Sequence, residues 1–334
     1  MPTEITQLIT DCLSTNYLIH ATDIVLLPIG ADINASIYKV KSSDQKTYFV
    51  KLKKDFFNDT HIKILELLQK AGVKELIAPL KNVESKWTCG IGDKTLIVYP
   101  FILGHDGFSR ALTYAQWIEL GQALRQVHEI DVPSSLKMHI RQEDFSPSSQ
   151  NAVRSLYADN KDLVLDNKVA LDLWKFLQEN RSLVEQLVNH AEELSKKAQC
   201  QRSKFVLCHS DIHAGNILLD TKDALYIVDW DEPILAPKER DLMFIGGGVG
   251  NVWNKPFEEE LFYQGYGQVE INWTLLAYYR FERIVVDIAE YAQELLLKSA
   301  PTNDKSEMYK HFLGMFATNG VVDIAFATAN RIVK

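Results

Sequence analysis

The sequence predicts an α+β chain of two lobes, a small β-rich N-lobe over residues 1–103 and a larger, mostly helical C-lobe over 104–334. Three observations predict it. Strand-like apolar runs with a single helix among them fill most of the first hundred residues. Helical spacing of apolar residues dominates after Gly104-His105-Asp106-Gly107. Strand signals return between Lys204 and Trp230, where they enclose the densest group of polar residues in the chain.

Taken in order, Ile5, Leu8, Ile9, Cys12 and Leu13 repeat at helical spacing over residues 4–16. Ile24 to Leu27, Ile37 to Val40 and Thr47 to Leu52 follow as three strands of an antiparallel meander, the last two separated by the turn residues Ser42-Ser43-Asp44. A helix is predicted from about Asp59 to Lys70, stopped by Gly72, and two more strands at Leu76 to Leu80 and Thr95 to Ile102. Trp117, Leu120, Leu124 and Val127 mark a helix, and Leu163 to Lys197 carries another long helical pattern. Phe205 to Cys208, Ile217 to Leu219 and Leu225 to Val228 are strands, and helices are predicted near 238–245, 256–264, 271–298 and 304–317.

Composition narrows the function. With 46% hydrophobic and 24% charged residues, the chain is neither disordered nor fibrous. The 36 basic and 44 acidic residues leave a net charge of −8, which gives no bulk attraction to nucleic acid or anionic lipid. The first residues have no secretory pattern, and no apolar run approaches a membrane span. The four cysteines show no metal-ligand spacing and are expected as thiols of a reducing cytoplasm.

The chemistry concentrates in Cys208-His209-Ser210-Asp211-Ile212-His213-Ala214-Gly215-Asn216, followed by Ile227-Val228-Asp229-Trp230-Asp231. Asp211 and Asn216 stand in the spacing H-x-D-x-x-x-x-N, and Asp229 ends the next strand but one. Phosphoryl transfer needs these residue types: a carboxylate to orient the attacking hydroxyl, and an amide and a second carboxylate as hard oxygen ligands for Mg²⁺. It also needs a lysine for the nucleotide phosphates, and Lys51 in Tyr48-Phe49-Val50-Lys51 sits where a kinase strand carries one. Taken singly, these residues are also common turn formers or a solvated strand lysine; their order and the flanking strands favour the catalytic reading.

These motifs resemble the aminoglycoside phosphotransferase family, which phosphorylates small molecules on a two-lobed protein-kinase-like fold. Ala236 to Pro256, Tyr48 to Lys53, Val98 to Ile102 and Tyr278 to Asp287 further resemble the branch of that family that acts on the aminocyclitol spectinomycin. The resemblance spans nearly the whole chain. It implies ATP and Mg²⁺ as cofactors, Asp211 as the catalytic aspartate, Asn216 and Asp229 as metal ligands, and Lys51 on the ATP phosphates. Tyr99, Pro100, Phe101 and Ile102 would form the adenine hinge, and Asp231, Glu232, Trp253, Tyr278 and Glu282 would face the acceptor. The implied product is a phosphorylated antibiotic, made by a cytoplasmic monomer with no nucleic-acid or membrane partner.

The chain departs from the kinase pattern in four places. Ile29 to Ser36, at the position of the phosphate loop, has one glycine, and the acidic partner of Lys51 is open between Glu66 and Asp59. Ser210 replaces the arginine that serves a phosphorylated activation loop, and only about eight residues separate Asp229 from the helix near Lys238, so no phosphorylation switch is expected. Asp231 takes the place of the glycine after the metal aspartate. His209 is expected to pack the loop and His213 to make a local hydrogen bond. Gly246 to Gly250 follows a helical pattern and no Lys-Ser/Thr comes after it, so it is expected to be a flexible or closely packed backbone near the acceptor rather than a phosphate loop. Tyr278 with Glu282 and Arg283 with Asp287 are i,i+4 pairs, either surface contacts or acceptor-facing. Rival readings are a kinase for another aminoglycoside, choline, homoserine or a sugar, a non-catalytic nucleotide-binding module, and a protein kinase.

Overall fold

In the computed structural model, residues 4–27, 35–54, 59–158, 163–297 and 305–332 are described. Along the chain the elements are α1 (Glu4–Tyr17), β1 (Ala21–Leu27), β2 (Ala35–Ser42), β3 (Thr47–Lys54), α2 (Thr60–Lys70), β4 (Thr88–Ile91), β5 (Lys94–Pro100), β6 (Gly104–Asp106), α3 (Tyr114–Glu129), α4 (Ser134–Lys137), β7 (Arg141–Gln142), α5 (Ser148–Ala158), α6 (Lys168–Glu179), α7 (Arg181–Gln199), β8 (Val206–Cys208), β9 (Ile217–Asp220), β10 (Leu225–Ile227), β11 (Ile234–Ala236), α8 (Glu239–Leu242), α9 (Pro256–Tyr266), α10 (Trp273–Leu296), α11 (Lys305–Met315) and α12 (Val321–Ala329). They form two compact units. One comprises Met1–Asp106, Val132–His139 and Ile217–Glu232; the other comprises Gly107–Asp131, Ile140–Asn216 and Pro233–Lys334. The first therefore takes in two segments, Val132–His139 and Ile217–Glu232, that the sequence division places in the C-lobe.

The first unit is built on an antiparallel sheet of order β1-β2-β3-β5-β4. Strand alternation sorts its side chains. Tyr48, Val50 and Leu52 of β3, with Tyr38, Val40, Leu96 and Val98, bury one face against Ile9, Cys12 and Leu13 of α1. Phe49, Lys51 and Lys53 therefore stand on the opposite face, aligned across the sheet with Tyr99, Ile97 and Thr95. A smaller sheet, β10-β9-β6, carries the strand that leads to Asp229.

One strand expectation is corrected, and one strand was not expected. Leu76 to Leu80 is not a strand: Leu76 makes one isolated bridge to Ile227, and Pro79, which lacks an N–H, interrupts any ladder. The edge strand is β4, closed onto β5 by a two-residue turn with Gly92 at φ +59°.

The second unit is helical around α10. Tyr278, Phe281, Val285, Ile288, Ala292 and Leu295 repeat at three- and four-residue intervals and are all buried. The α10 helix starts where the Asn272 side chain accepts from the Leu275 N–H, and it packs against α5, α6, α7, α8, α11 and α12. The long helical pattern from Leu163 is two helices, α6 and α7, broken at Asn180, whose side-chain amide donates to the Phe176 carbonyl. Helices α3 and α9 cross at two glycines. A Cβ on Gly121 would lie 2.1 Å from the Phe262 carbonyl oxygen, and one on Gly265 would lie 1.9 Å from that of Ile118.

Candidate active site

In the first unit Lys51 is almost fully buried, with 8% of its surface exposed. Its ammonium group bonds the Asp231 carboxylate and lies 4.0 Å from Asp229 Oδ1, while Lys53 Nζ donates to the same Asp231 oxygen at 2.8 Å. Burial alone would push the Asp231 carboxyl up, but the two ammonium groups prevail and hold it at about 2. Glu66 pairs with Lys70 and Lys81, and Asp59 with Lys63. The acid on Lys51 is thus Asp231, a residue expected to face the acceptor. Asp229 sits at φ +65°, a conformation strained for a residue with a side chain, and its carboxylate is half exposed.

The hinge expectation acquires a backbone geometry. The Phe101 N–H donates to the Thr47 carbonyl, so residues 47 and 101 form a hydrogen-bonded pair across β3 and β5. Alternation then turns the Pro100 carbonyl away from β3. Tyr99 crosses Phe49 edge to face at 6.1 Å, and burial, reinforced by Asp231 and Asp229, pushes its phenol well above the usual range. Lys39 lies over the Phe101 ring at 4.6 Å. Ile29 to Asn34 of the expected phosphate loop fall outside the described residues; Ala35 and Ser36 open β2.

In the second unit Asp241, fully buried, accepts from the His209 N–H at 2.9 Å and the Ser210 N–H at 2.7 Å, and meets His128 Nε2 at 3.0 Å. Burial acts to raise its carboxyl, but His128 and the His209 amide keep it below the ordinary value. This clamp holds Ser210 at φ +77° and presents Asp211 next to it. The Asp211 N–H bonds His209 Nδ1. Its Oδ1 accepts from Arg283 Nη1 at 2.6 Å, and its Oδ2 lies 3.4 Å from His213 Nε2. Burial opposes ionisation of Asp211, yet His213 and the Arg283 charge hold its carboxyl far below the usual range. His213 makes its expected local bond, Nδ1 accepting the Gly215 N–H at 3.0 Å, and stacks on Phe108. The Asn216 amide donates to the Asp211 carbonyl at 2.8 Å, which leaves its Oδ1 as an acceptor.

Packing draws several of the residues expected at the acceptor inward. Trp253 is 5% exposed and lies edge-on to Trp117 at 5.0 Å; Tyr278 is 2% exposed and packs on Phe145 at 5.3 Å. Both are core rings. Glu282 pairs with Arg240 rather than reaching outward, whereas Arg283 and Asp287 form the expected helical pair at 2.8 Å. Glu232 is exposed. The segment from Gly246 to Gly250 packs tightly and needs its glycines, with Gly246, Gly248 and Gly250 all at positive φ and Arg280 donating to the carbonyls of Met243 and Ile245 just before it. Sequence reading paired Arg283 with Asp287 but missed its bond to Asp211, and it missed the Asp241 clamp altogether. Both partners lie too far along the chain for spacing to signal them.

A lysine-bearing antiparallel sheet and an aspartate loop on a helical body are the parts of a kinase-like phosphotransferase. The profile of the phosphotransferase enzyme family matches residues 25–274, and the chain belongs to that family. A crystal structure of spectinomycin phosphotransferase, APH(9)-Ia, with ADP and spectinomycin is 45% identical, covers 97% of this chain and 98% of that one, and superposes with a TM-score of 0.90. The AMP-bound complex of APH(9)-Ia gives 43% identity, 96% and 98% coverage, and a TM-score of 0.86. Amicoumacin kinase hAmiN, 14% identical over 97% of this chain and 94% of that one with a TM-score of 0.60, shares the fold. Comparison with curated proteins gives no match.

Proposed function

We propose that the protein transfers the γ-phosphoryl group of ATP, with Mg²⁺, to a hydroxyl of spectinomycin, and that it thereby confers resistance. The observation that carries the acceptor is the 45% identity, over 97% of the chain, with a phosphotransferase whose structure holds ADP and spectinomycin. Asp211 would take the hydroxyl as a hydrogen-bond donor and hold it in line for attack. Lys51 would leave Asp231 in part to meet the phosphates, and Lys53 would keep Asp231 neutralised. The outward Pro100 carbonyl and the backbone N–H of Ile102, two residues on, would pair with adenine, with Tyr99 and Phe101 beside them. Asn216 Oδ1 and the Asp229 carboxylate are hard oxygen donors of the kind Mg²⁺ prefers, and they would hold the metal. When bound, the ion draws charge from the phosphate oxygens. Exposed Glu232 would attract the cationic amines of the acceptor. Among the described residues no helix is long and apolar enough to cross a membrane, and the reading takes the protein as a cytoplasmic monomer.

Incubation with ATP, Mg²⁺ and a panel of aminocyclitols, aminoglycosides and choline, followed by mass spectrometry, tests it. The expected result is one added phosphoryl group on spectinomycin and on no other acceptor. Transfer to a different member of the panel overturns the acceptor. Asp211→Ala is expected to lower kcat by about 10²-fold or more, and unchanged turnover would remove its assigned role.

A further inference from the structure

We propose that Arg283 is a positioning residue for this reaction: anchored by Asp287, it fixes the Asp211 carboxylate in the orientation that receives the acceptor hydroxyl. This rests on the reading of Asp211 given above. Arg283 uses different nitrogens for its two carboxylates, Nε for Asp287 Oδ1 at 2.8 Å and Nη1 for Asp211 Oδ1 at 2.6 Å. The planar guanidinium cannot turn toward one without leaving the other, so a residue on the rigid α10 helix dictates the rotamer of a residue on a turn. The Phe244 ring lies 5.7 Å from the guanidinium carbon and limits its movement further.

Exposure separates this arrangement from an ordinary structural ion pair. The Asp211 side chain is 41% exposed, so water alone could satisfy it; Arg283 is 24% and Asp287 17% exposed. What the pair adds at Asp211 is direction. His213 Nε2 lies 3.4 Å from the other oxygen, Oδ2, a longer and weaker contact than the 2.6 Å bond from Arg283, so Arg283 is the tighter hold on the carboxylate. A carboxylate oxygen accepts more than one hydrogen bond, so Arg283 can hold Oδ1 while Asp211 keeps room for a hydroxyl.

The test compares Arg283→Ala, Arg283→Lys, Asp287→Asn and Asp211→Asn by steady-state kinetics, nucleotide binding and thermal melting. Arg283→Ala is expected to lower kcat by about 10²-fold, the effect of a misplaced reacting group, with the KM for ATP unchanged. Millimolar guanidinium chloride should restore part of that loss in Arg283→Ala and none in Asp211→Asn. Arg283→Lys should fall between wild type and Arg283→Ala, and Asp287→Asn should lose less than Arg283→Ala. A folded Arg283→Ala protein with kcat within about twofold of wild type overturns the proposal. So does a loss that neither guanidinium nor lysine relieves. A fully active Asp211→Asn overturns the underlying assignment of Asp211 instead.

Discussion

Asp241 touches no expected substrate atom, yet it sets the backbone on which Asp211 stands. Two amide N–H groups and His128 converge on one buried carboxylate. Asparagine keeps the shape but removes the charge from those bonds and places an N–H₂ donor where an acceptor is needed. Asp241→Asn is expected to destabilise the protein by about 2 kcal/mol, the scale of a charge-assisted hydrogen bond. The sign with pH follows from the lowered carboxyl. Its contribution is complete above the unfolded value of about 4 and is lost as pH falls below it. Urea titrations from neutral pH into acid should therefore show a shallower acid loss for Asp241→Asn than for wild type; parallel curves would contradict the argument. Asp211, Asn216, Asp229 and Lys51 could be proposed from the sequence because fixed spacing and flanking strands carry them. Asp241 and Arg283 could not, because a contact across 31 or 72 residues leaves no period in a sequence.

At the scale of elements, the crossing of α3 and α9 turns on hydrogen in place of a side chain. Gly→Ala in a helix ordinarily gains up to about 1 kcal/mol. At Gly121 the new methyl would meet a backbone oxygen at 2.1 Å, which no rotamer relieves. Overpacking of this kind costs about 1–3 kcal/mol and outweighs the propensity gain. Gly121→Ala should therefore lower the urea midpoint, and a raised midpoint would show that the helices separate freely. Most elements were visible in the sequence, since β2, β3, α1 and α10 each carry an unbroken apolar period. The exceptions have local causes. Pro79 spoils the Leu76 run, the Asn180 side chain splits one helical stretch, and the two- and three-residue strands β6, β7 and β11 are too short to show a period.

For the whole molecule, ligand linkage gives the sharpest check. A nucleotide that binds only the native state stabilises it by about 2.7 kcal/mol at a hundredfold excess over its Kd. ATP with Mg²⁺ should raise the melting temperature, and EDTA should remove most of that increment and stop transfer. An increment unaffected by EDTA would argue against metal held by Asn216 and Asp229. The sequence showed two lobes but not that Ile217–Glu232 joins the first unit, because membership depends on which sheet a strand lies against and not on its own pattern. One consequence of the α3–α9 crossing reaches beyond stability. In a saturation scan scored by antibiotic survival, codons 121 and 265 should look as intolerant as that for Asp211, although neither glycine has a functional group to offer. Genetic indispensability here would map steric exclusion as faithfully as it maps chemistry.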